Sequence, residues 1–258
     1  NTGSWTTFQR TEAALSEVTG VHTVYVVSAD NATYNGDMDW IEFFAEDGPE
    51  DTDTGTDTQD TDTPDTDTSA DPSSGCGVAD GKQTLTAGGA SVAGGLATST
   101  RLTINSNGEN RDFIIDIPAD YDPDHPYRLI FSWHQAYGSA NGNAVGQYPA
   151  FDGPNFNAEN YAFFGLRRAA TAAGDAAIFV APQGITNFPW DYGRDVVLFD
   201  NLLERITENL CVDESRVFTT GFSFGAMMSH ALSLGRADKL RGAITMAPAN
   251  WNFTQPTN

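Results

Sequence analysis

The stretch that most constrains this chain is Val217-Phe218-Thr219-Thr220-Gly221-Phe222-Ser223-Phe224-Gly225-Ala226-Met227-Met228, in which an apolar strand-like run enters Gly-Phe-Ser-Phe-Gly and leaves as an Ala/Met-rich helix. Strand, G-x-S-x-G and helix in immediate succession describe a nucleophile elbow, a turn so tight that glycine is needed on either side of the serine. A bare G-x-S-x-G also arises as an ordinary Gly-bounded turn, and the flanking strand and helix are what set this one apart. Ser223 is therefore the candidate nucleophile. Its place at a helix N-terminus sets backbone N–H groups beside any oxyanion formed there.

The remainder of the chain divides by composition. Its 258 residues carry a net charge of −22, and no basic patch is available to neutralise phosphates, so nucleic acid is not an expected partner. No apolar run reaches membrane-spanning length, and no membrane partner is expected. Residues 48–74, GPEDTDTGTDTQDTDTPDTDTSADPSS, hold nine acidic residues, no Lys or Arg, and no apolar side chain larger than Ala70. Such a segment buries too little surface to offset its ordering entropy and reads as a charge-extended, disordered linker. The Asp-Thr alternation lacks the Gly turn and bidentate Glu of a calcium loop, so neither a metal nor a cofactor is expected. Its threonines suit O-glycosylation.

Residues 1–47 precede the linker. Trp5–Arg10, His22–Ser28 and Trp40–Phe44 read as strands, and the alternation through Val21-His22-Thr23-Val24-Tyr25-Val26-Val27 fits a half-buried one. Three strands are too few to close a sandwich. The T-G-x-W entry at Thr2–Trp5, the G-V-H-T-V-Y strand and the closing D-M-D-W-I-E-F strand resemble the C-terminal part of a family 6 carbohydrate-binding module. That resemblance implies a partial all-β sandwich for plant polysaccharide, with Trp5 stacking on a sugar ring and Asn31 or Asn35 hydrogen-bonding to it. Trp5 as a core-edge aromatic is the plainer alternative, and Trp40 and Phe44 read as core.

Residues 75–258 alternate strand and helix. Arg101–Asn105 and Arg111–Ile117 are predicted antiparallel strands joined at Asn107-Gly108, a strong hairpin signal. Tyr127–Trp133 and Ala176–Ala181 are apolar runs suited to a buried parallel sheet. Asn160–Ala173 reads as an Ala-rich helix, and Arg194–Leu210 as a helix with Val196, Phe199, Leu203, Ile206 and Leu210 along one stripe. Arg216–Thr220 feeds the elbow, and Gly242–Ala247 is the next strand. The pattern predicts an α/β sheet with right-handed crossovers.

This order resembles the α/β-hydrolase fold. More narrowly, S-G-C-G at Ser74–Gly77, R-D-F-I-I-D-I-P-A-D-Y-D-P-D-H-P-Y-R-L-I-F at Arg111–Phe131, Trp133-His134, I-F-V-A-P-Q-G at Ile178–Gly184 and L-C-V-D-E-S-R-V-F-T-T-G-F-S-F-G-A-M-M-S at Leu210–Ser229 resemble the feruloyl and acetylxylan esterases of carbohydrate esterase family 1. Secreted polyhydroxyalkanoate depolymerases are related to these. The resemblance implies a second oxyanion donor in the loop after Trp133, with the N–H groups of Gln135 or Ala136 acting beside that of Phe224. It implies a pocket position for His134 and for Trp190, each with a structural alternative: loop ordering for the histidine, packing for the tryptophan. It further implies a disulfide between Cys76 and Cys211, which fits an oxidising, extracellular compartment. Asp195 and Asp200 read as dipole-favouring carboxylates at the start of the long helix, with no chemistry assigned.

A serine nucleophile requires a general base and a carboxylate to orient it, which this fold supplies in the order Ser, Asp/Glu, His. His230 is the only histidine after Ser223, and seven helical residues separate the two by about 10 Å of rise. Asp238 follows the same helix too closely to belong to a later strand. The expectation is a hydrolase domain truncated at its C-terminal end, inactive alone and left with an open apolar sheet edge that lowers solubility. The parent protein is expected to be a secreted serine esterase that cleaves feruloyl or acetyl esters of xylan-type plant cell-wall polysaccharide. A non-catalytic carbohydrate-binding protein and a polyhydroxyalkanoate depolymerase are the alternatives.

Overall fold

The computed structural model describes residues 70–147 and 157–248. The chain divides into two compact units, Asn1–Asp67 and Thr68–Asn258, and all described residues belong to the second. The sandwich expectation, with Trp5, Asn31 and Asn35, lies outside the described residues, as does nearly all of the linker.

In chain order the elements are α1 (Gly81–Thr86), β1 (Ala90–Ser91), β2 (Ser99–Ser106), β3 (Glu109–Asp116), β4 (Tyr127–Trp133), α2 (Ala140–Val145), α3 (Ala158–Tyr161), a 3-10 turn (Ala162–Gly165), α4 (Leu166–Ala172), β5 (Ala177–Pro182), α5 (Tyr192–Asn209), β6 (Val212–Phe222), α6 (Phe224–Gly235) and β7 (Gly242–Met246). The strands form one sheet in the order β1-β2-β3-β5-β4-β6-β7. Pairing is antiparallel from β1 to β5 and parallel across β5, β4, β6 and β7. Asn107 and Gly108 close the β2–β3 hairpin with φ of 53° and 80°, the two left-handed residues of a type I′ turn.

Side-chain alternation distributes the strands between two cores. Ile178 and Val180 of β5 join Phe131, Trp133, Phe199 and Leu232 on the face covered by α1, α5 and α6. Ala177, Phe179 and Ala181 of the same strand join Ala140, Val145, Phe163 and Ala170 on the face covered by α2 to α4. In α5 the predicted stripe of Val196, Phe199, Leu203 and Ile206 is buried, as is Leu210 at its end, and Leu198 and Leu202 are buried beside it. Each such side chain contributes about 1.5–3 kcal/mol on burial.

Three expectations need correction. The helix read over 160–173 is broken, because Phe163 and Phe164 adopt left-handed φ of 53° and 59°. This turn seats Phe163 against Phe179, with ring centroids 5.1 Å apart. Propensity favoured an unbroken Ala-rich helix, and the packing of one buried aromatic overrides it. The cap of α5 is Asp191, whose carboxylate accepts from Arg194 N–H at 3.0 Å, whereas Asp200 lies well inside the helix and pairs with Arg236. Residues 71–74, assigned to the linker by composition, are held on β6. Ser73 Oγ donates to the Leu210 carbonyl and accepts from Val212 N–H, and Asp71 N–H donates to Asp213. Beside them Cys76 and Cys211 form a disulfide, as the resemblance implies.

Candidate active site

The elbow is built from a steric conflict that only glycine avoids. A Cβ on Gly221 would lie 2.3 Å from the backbone of Gly225, and one on Gly225 would lie 2.0 Å from the Trp133 carbonyl oxygen and 2.8 Å from that of His134. The two glycines therefore let α6 fold back over β6 and press against the end of β4, which pairs with β6 as far as Trp133 opposite Gly221. Ser223, between them, takes φ 52° and ψ −116°, a conformation an L-residue holds only when its surroundings impose it. Its N–H donates to the Met246 carbonyl of β7 at 2.9 Å, and its carbonyl accepts from Met227 N–H at 3.1 Å. Ser223 thus stands at the C-terminal edge of the parallel strands, the end at which open α/β sheets bind ligands.

Behind the serine, the loop after β4 runs beside the loop after β5. His134 is 1% exposed, and both ring nitrogens are engaged: Nδ1 faces the Gln135 carbonyl at 2.9 Å, and Nε2 accepts from Gly184 N–H at 3.1 Å. This requires the neutral tautomer with the proton on Nδ1. Burial pushes the imidazole down to about 4, against the raising influence of its bond to Gln135 and of nearby Asp195. Trp190 is also buried, packs edge-on against Trp133, and donates its indole N–H to the His134 carbonyl at 2.8 Å. Tyr137 N–H donates to the Asn187 carbonyl, and Ala140 N–H to Gln183 Oε1.

A buried ion pair secures the second loop. Arg111 of β3 donates to Asp195 at 2.7 Å and to the Gln183 carbonyl at 2.9 Å, with both charged side chains at 2% exposure or less. Asp195 also accepts from Arg194 and from Asp191 N–H, so its oxygens are occupied and it orients no base. Arg111 and Gln183 stand in the stretches that carry the resemblance, but nothing in the sequence pairs Arg111 with Asp195 or Trp190 with the His134 carbonyl. From Phe224, next to the serine in the chain, a line of rings runs outward: Phe224 meets Phe188, 57% exposed, at 5.8 Å, and Phe188 meets Tyr137, 64% exposed, at 5.4 Å.

Among the described residues, no histidine or carboxylate is hydrogen-bonded to Ser223. His125 packs on Tyr127 at the opposite end of β4, His134 is committed to backbone, and His230 lies along α6. Among the described residues there is also no group of three or more His, Cys, Asp or Glu side chains arranged to hold a metal ion.

A serine on a strained strand-to-helix turn, at the C-terminal edge of a mixed sheet with helices on both faces, defines an α/β-hydrolase. No family model matches the chain. Feruloyl esterase D of Neurospora crassa is 34% identical over 183 residues, 70% of this chain and 55% of that protein. A probable feruloyl esterase C of Aspergillus terreus is 36% identical over 156 residues, 58% of this chain and 50% of the relative. Among solved structures, the chain is similar to a CE1 ferulic acid esterase from Anaeromyces mucronatus, with TM-score 0.46, 16% identity and 59% of either chain covered. By sequence the chain is similar to feruloyl esterases over 58–70% of its length. It spans about half the length of the curated relatives it matches.

Proposed function

We propose that this chain is part of a secreted serine esterase that releases feruloyl or acetyl groups from xylan-type plant cell-wall polysaccharide through an acyl-Ser223 intermediate. The observation that carries the reading is the presentation of Ser223 on the elbow beside the loop that follows β4. Ser223 Oγ attacks the ester carbonyl as the base takes its proton, the N–H of Phe224 and an amide of the loop at Gln135–Ala136 stabilise the oxyanion, the ester C–O bond breaks and the sugar hydroxyl leaves with that proton, and water then hydrolyses the acyl-enzyme to the free acid and Ser223. Neither His134 nor His230 is placed to act as a base on Ser223, so in this reading the chain alone turns over negligibly. The committed geometry of His134 and the distance of His230 support this. The exposed rings of Tyr137 and Phe188, in line with Phe224 next to the serine, favour the feruloyl group over acetyl, since an aromatic acyl group gains from packing on them.

Residues 1–47 belong in this reading to a carbohydrate-binding module, with Trp5 and one of Asn31 or Asn35 meeting the sugar, and residues 48–70 to the linker that tethers it. The Cys76–Cys211 disulfide supports an extracellular location. Assays of the full-length gene product on methyl ferulate, acetylated xylan and a short polyester test the activity. Hydrolysis of methyl ferulate that is lost in Ser223→Ala supports it. Inactivity on all three, with Ser223 unlabelled by a fluorophosphonate, would refute the enzyme reading.

A further inference from the structure

Two consecutive peptide planes after β4 are held by their carbonyl oxygens. The His134 carbonyl accepts from the Trp190 indole N–H at 2.8 Å. The Gln135 carbonyl accepts from His134 Nδ1–H at 2.9 Å and from Gly138 N–H at 3.0 Å. In a planar trans peptide, C=O and the following N–H point in opposite directions. Fixing these carbonyls therefore also fixes the directions of the Gln135 and Ala136 N–H groups. Among the described residues, neither of these N–H groups, nor that of Phe224, has a hydrogen-bond acceptor in the fold. Gln135 is buried and Ala136 and Phe224 are half-buried. Unpaired donors there, where the elbow presses on the end of β4, are left open to an anionic oxygen entering the site.

We propose that His134 and Trp190 are positioning residues: by gripping the two carbonyls from behind, they aim the loop amides, that of Ala136 above all, at the oxyanion formed on Ser223. The inference rests on the acyl-Ser223 reading. It assigns the two side chains to the rear of the loop, where neither touches substrate. His134 performs this role only as the neutral Nδ1–H tautomer, because its Nε2 is committed to accepting from Gly184 N–H.

The test uses the full-length gene product with methyl ferulate as substrate, comparing Trp190→Phe, His134→Gln and His134→Asn. Trp190→Phe keeps an aromatic ring and removes only the indole donor. Gln at 134 can reach Gly184 but offers no donor at the Nδ1 position, whereas Asn restores one there. Losing a whole oxyanion donor costs about 10²–10³ in kcat, so misaiming one is expected to cost about 10–100-fold. Trp190→Phe and His134→Gln should lower kcat by that factor with KM changed less than about threefold, and should slow fluorophosphonate labelling of Ser223 in parallel. His134→Asn should recover most of the loss. A kcat near that of the unmodified enzyme in folded Trp190→Phe, or a raised KM with unchanged kcat, would overturn the proposal. Absence of both turnover and labelling in the unmodified protein would overturn the acyl-Ser223 reading beneath it.

Discussion

The buried imidazole of His134 makes stability depend on pH in a defined window. Its ordinary value of 6.5 is lowered to about 4 in the folded protein, chiefly because burial penalises the charged ring. Between those values the unfolded chain binds a proton that the folded chain refuses, so stability falls as pH falls. The contribution is fully present above about 6.5, is lost progressively toward 4, and stays constant below, where both states are protonated. A displacement of about 2.5 pH units at 1.36 kcal/mol each amounts to about 3 kcal/mol. Protonation would also set an Nε2–H against the Gly184 N–H that Nε2 now accepts, which is the structural form of the same cost. The assay is urea unfolding from pH 3 to pH 8 for the unmodified protein and His134→Asn, whose side chain does not titrate. Hydrogen exchange of β4 and β5 amides isolates the hydrolase unit. Other titrating groups cancel in the difference between the two proteins, which should change by about 3 kcal/mol between pH 7 and pH 4. Parallel curves through that window would refute the reasoning, and would mean that His134 charges in place without disturbing its loop.

Gly225→Ala drives a Cβ to within 2.0 Å of the Trp133 carbonyl oxygen, so the elbow must move off β4; labelling of Ser223 by a fluorophosphonate should slow at least about 100-fold. Asp195→Ala leaves Arg111 buried without its carboxylate, and thermal unfolding should report a loss of about 3–5 kcal/mol, with the 183–191 loop losing exchange protection first. Replacing Cys76 and Cys211 by serine opens a cross-link spanning 135 residues, for which chain entropy sets an upper value of about 5 kcal/mol; denaturant midpoints under oxidising conditions measure it. Phe188→Ala should raise KM for methyl ferulate several-fold and leave a short acetyl ester nearly unaffected, because only the aromatic acyl group has a ring to pack.

The elements legible in the sequence share a property: each is specified over a few consecutive residues. The G-x-S-x-G turn between a strand and a helix, the Asn107-Gly108 hairpin and the apolar stripe of α5 are local patterns, and the sheet built from them follows the predicted alternation. Where local pattern and packing disagreed, at Phe163 and Phe164, packing prevailed, since seating one aromatic side chain outweighs a few tenths of a kcal/mol of helix propensity per residue.

The strain at Ser223 was implicit in its two glycines, but its cause was not. The clash that forbids a side chain at Gly225 comes from Trp133 and His134, some ninety positions earlier in the chain, and appears only once β4 and β6 pair. The same holds for the site's support. Arg111 reaches Asp195 across 84 residues, and Trp190 reaches the His134 carbonyl across 56. By sequence alone His134 was a histidine at a strand end and Trp190 an aromatic in a loop, each with two readings. Hydrogen bonds between distant segments impose no period on the chain that makes them, so the nucleophile was written locally, whereas the apparatus that holds its surroundings in place came into being only with the tertiary fold.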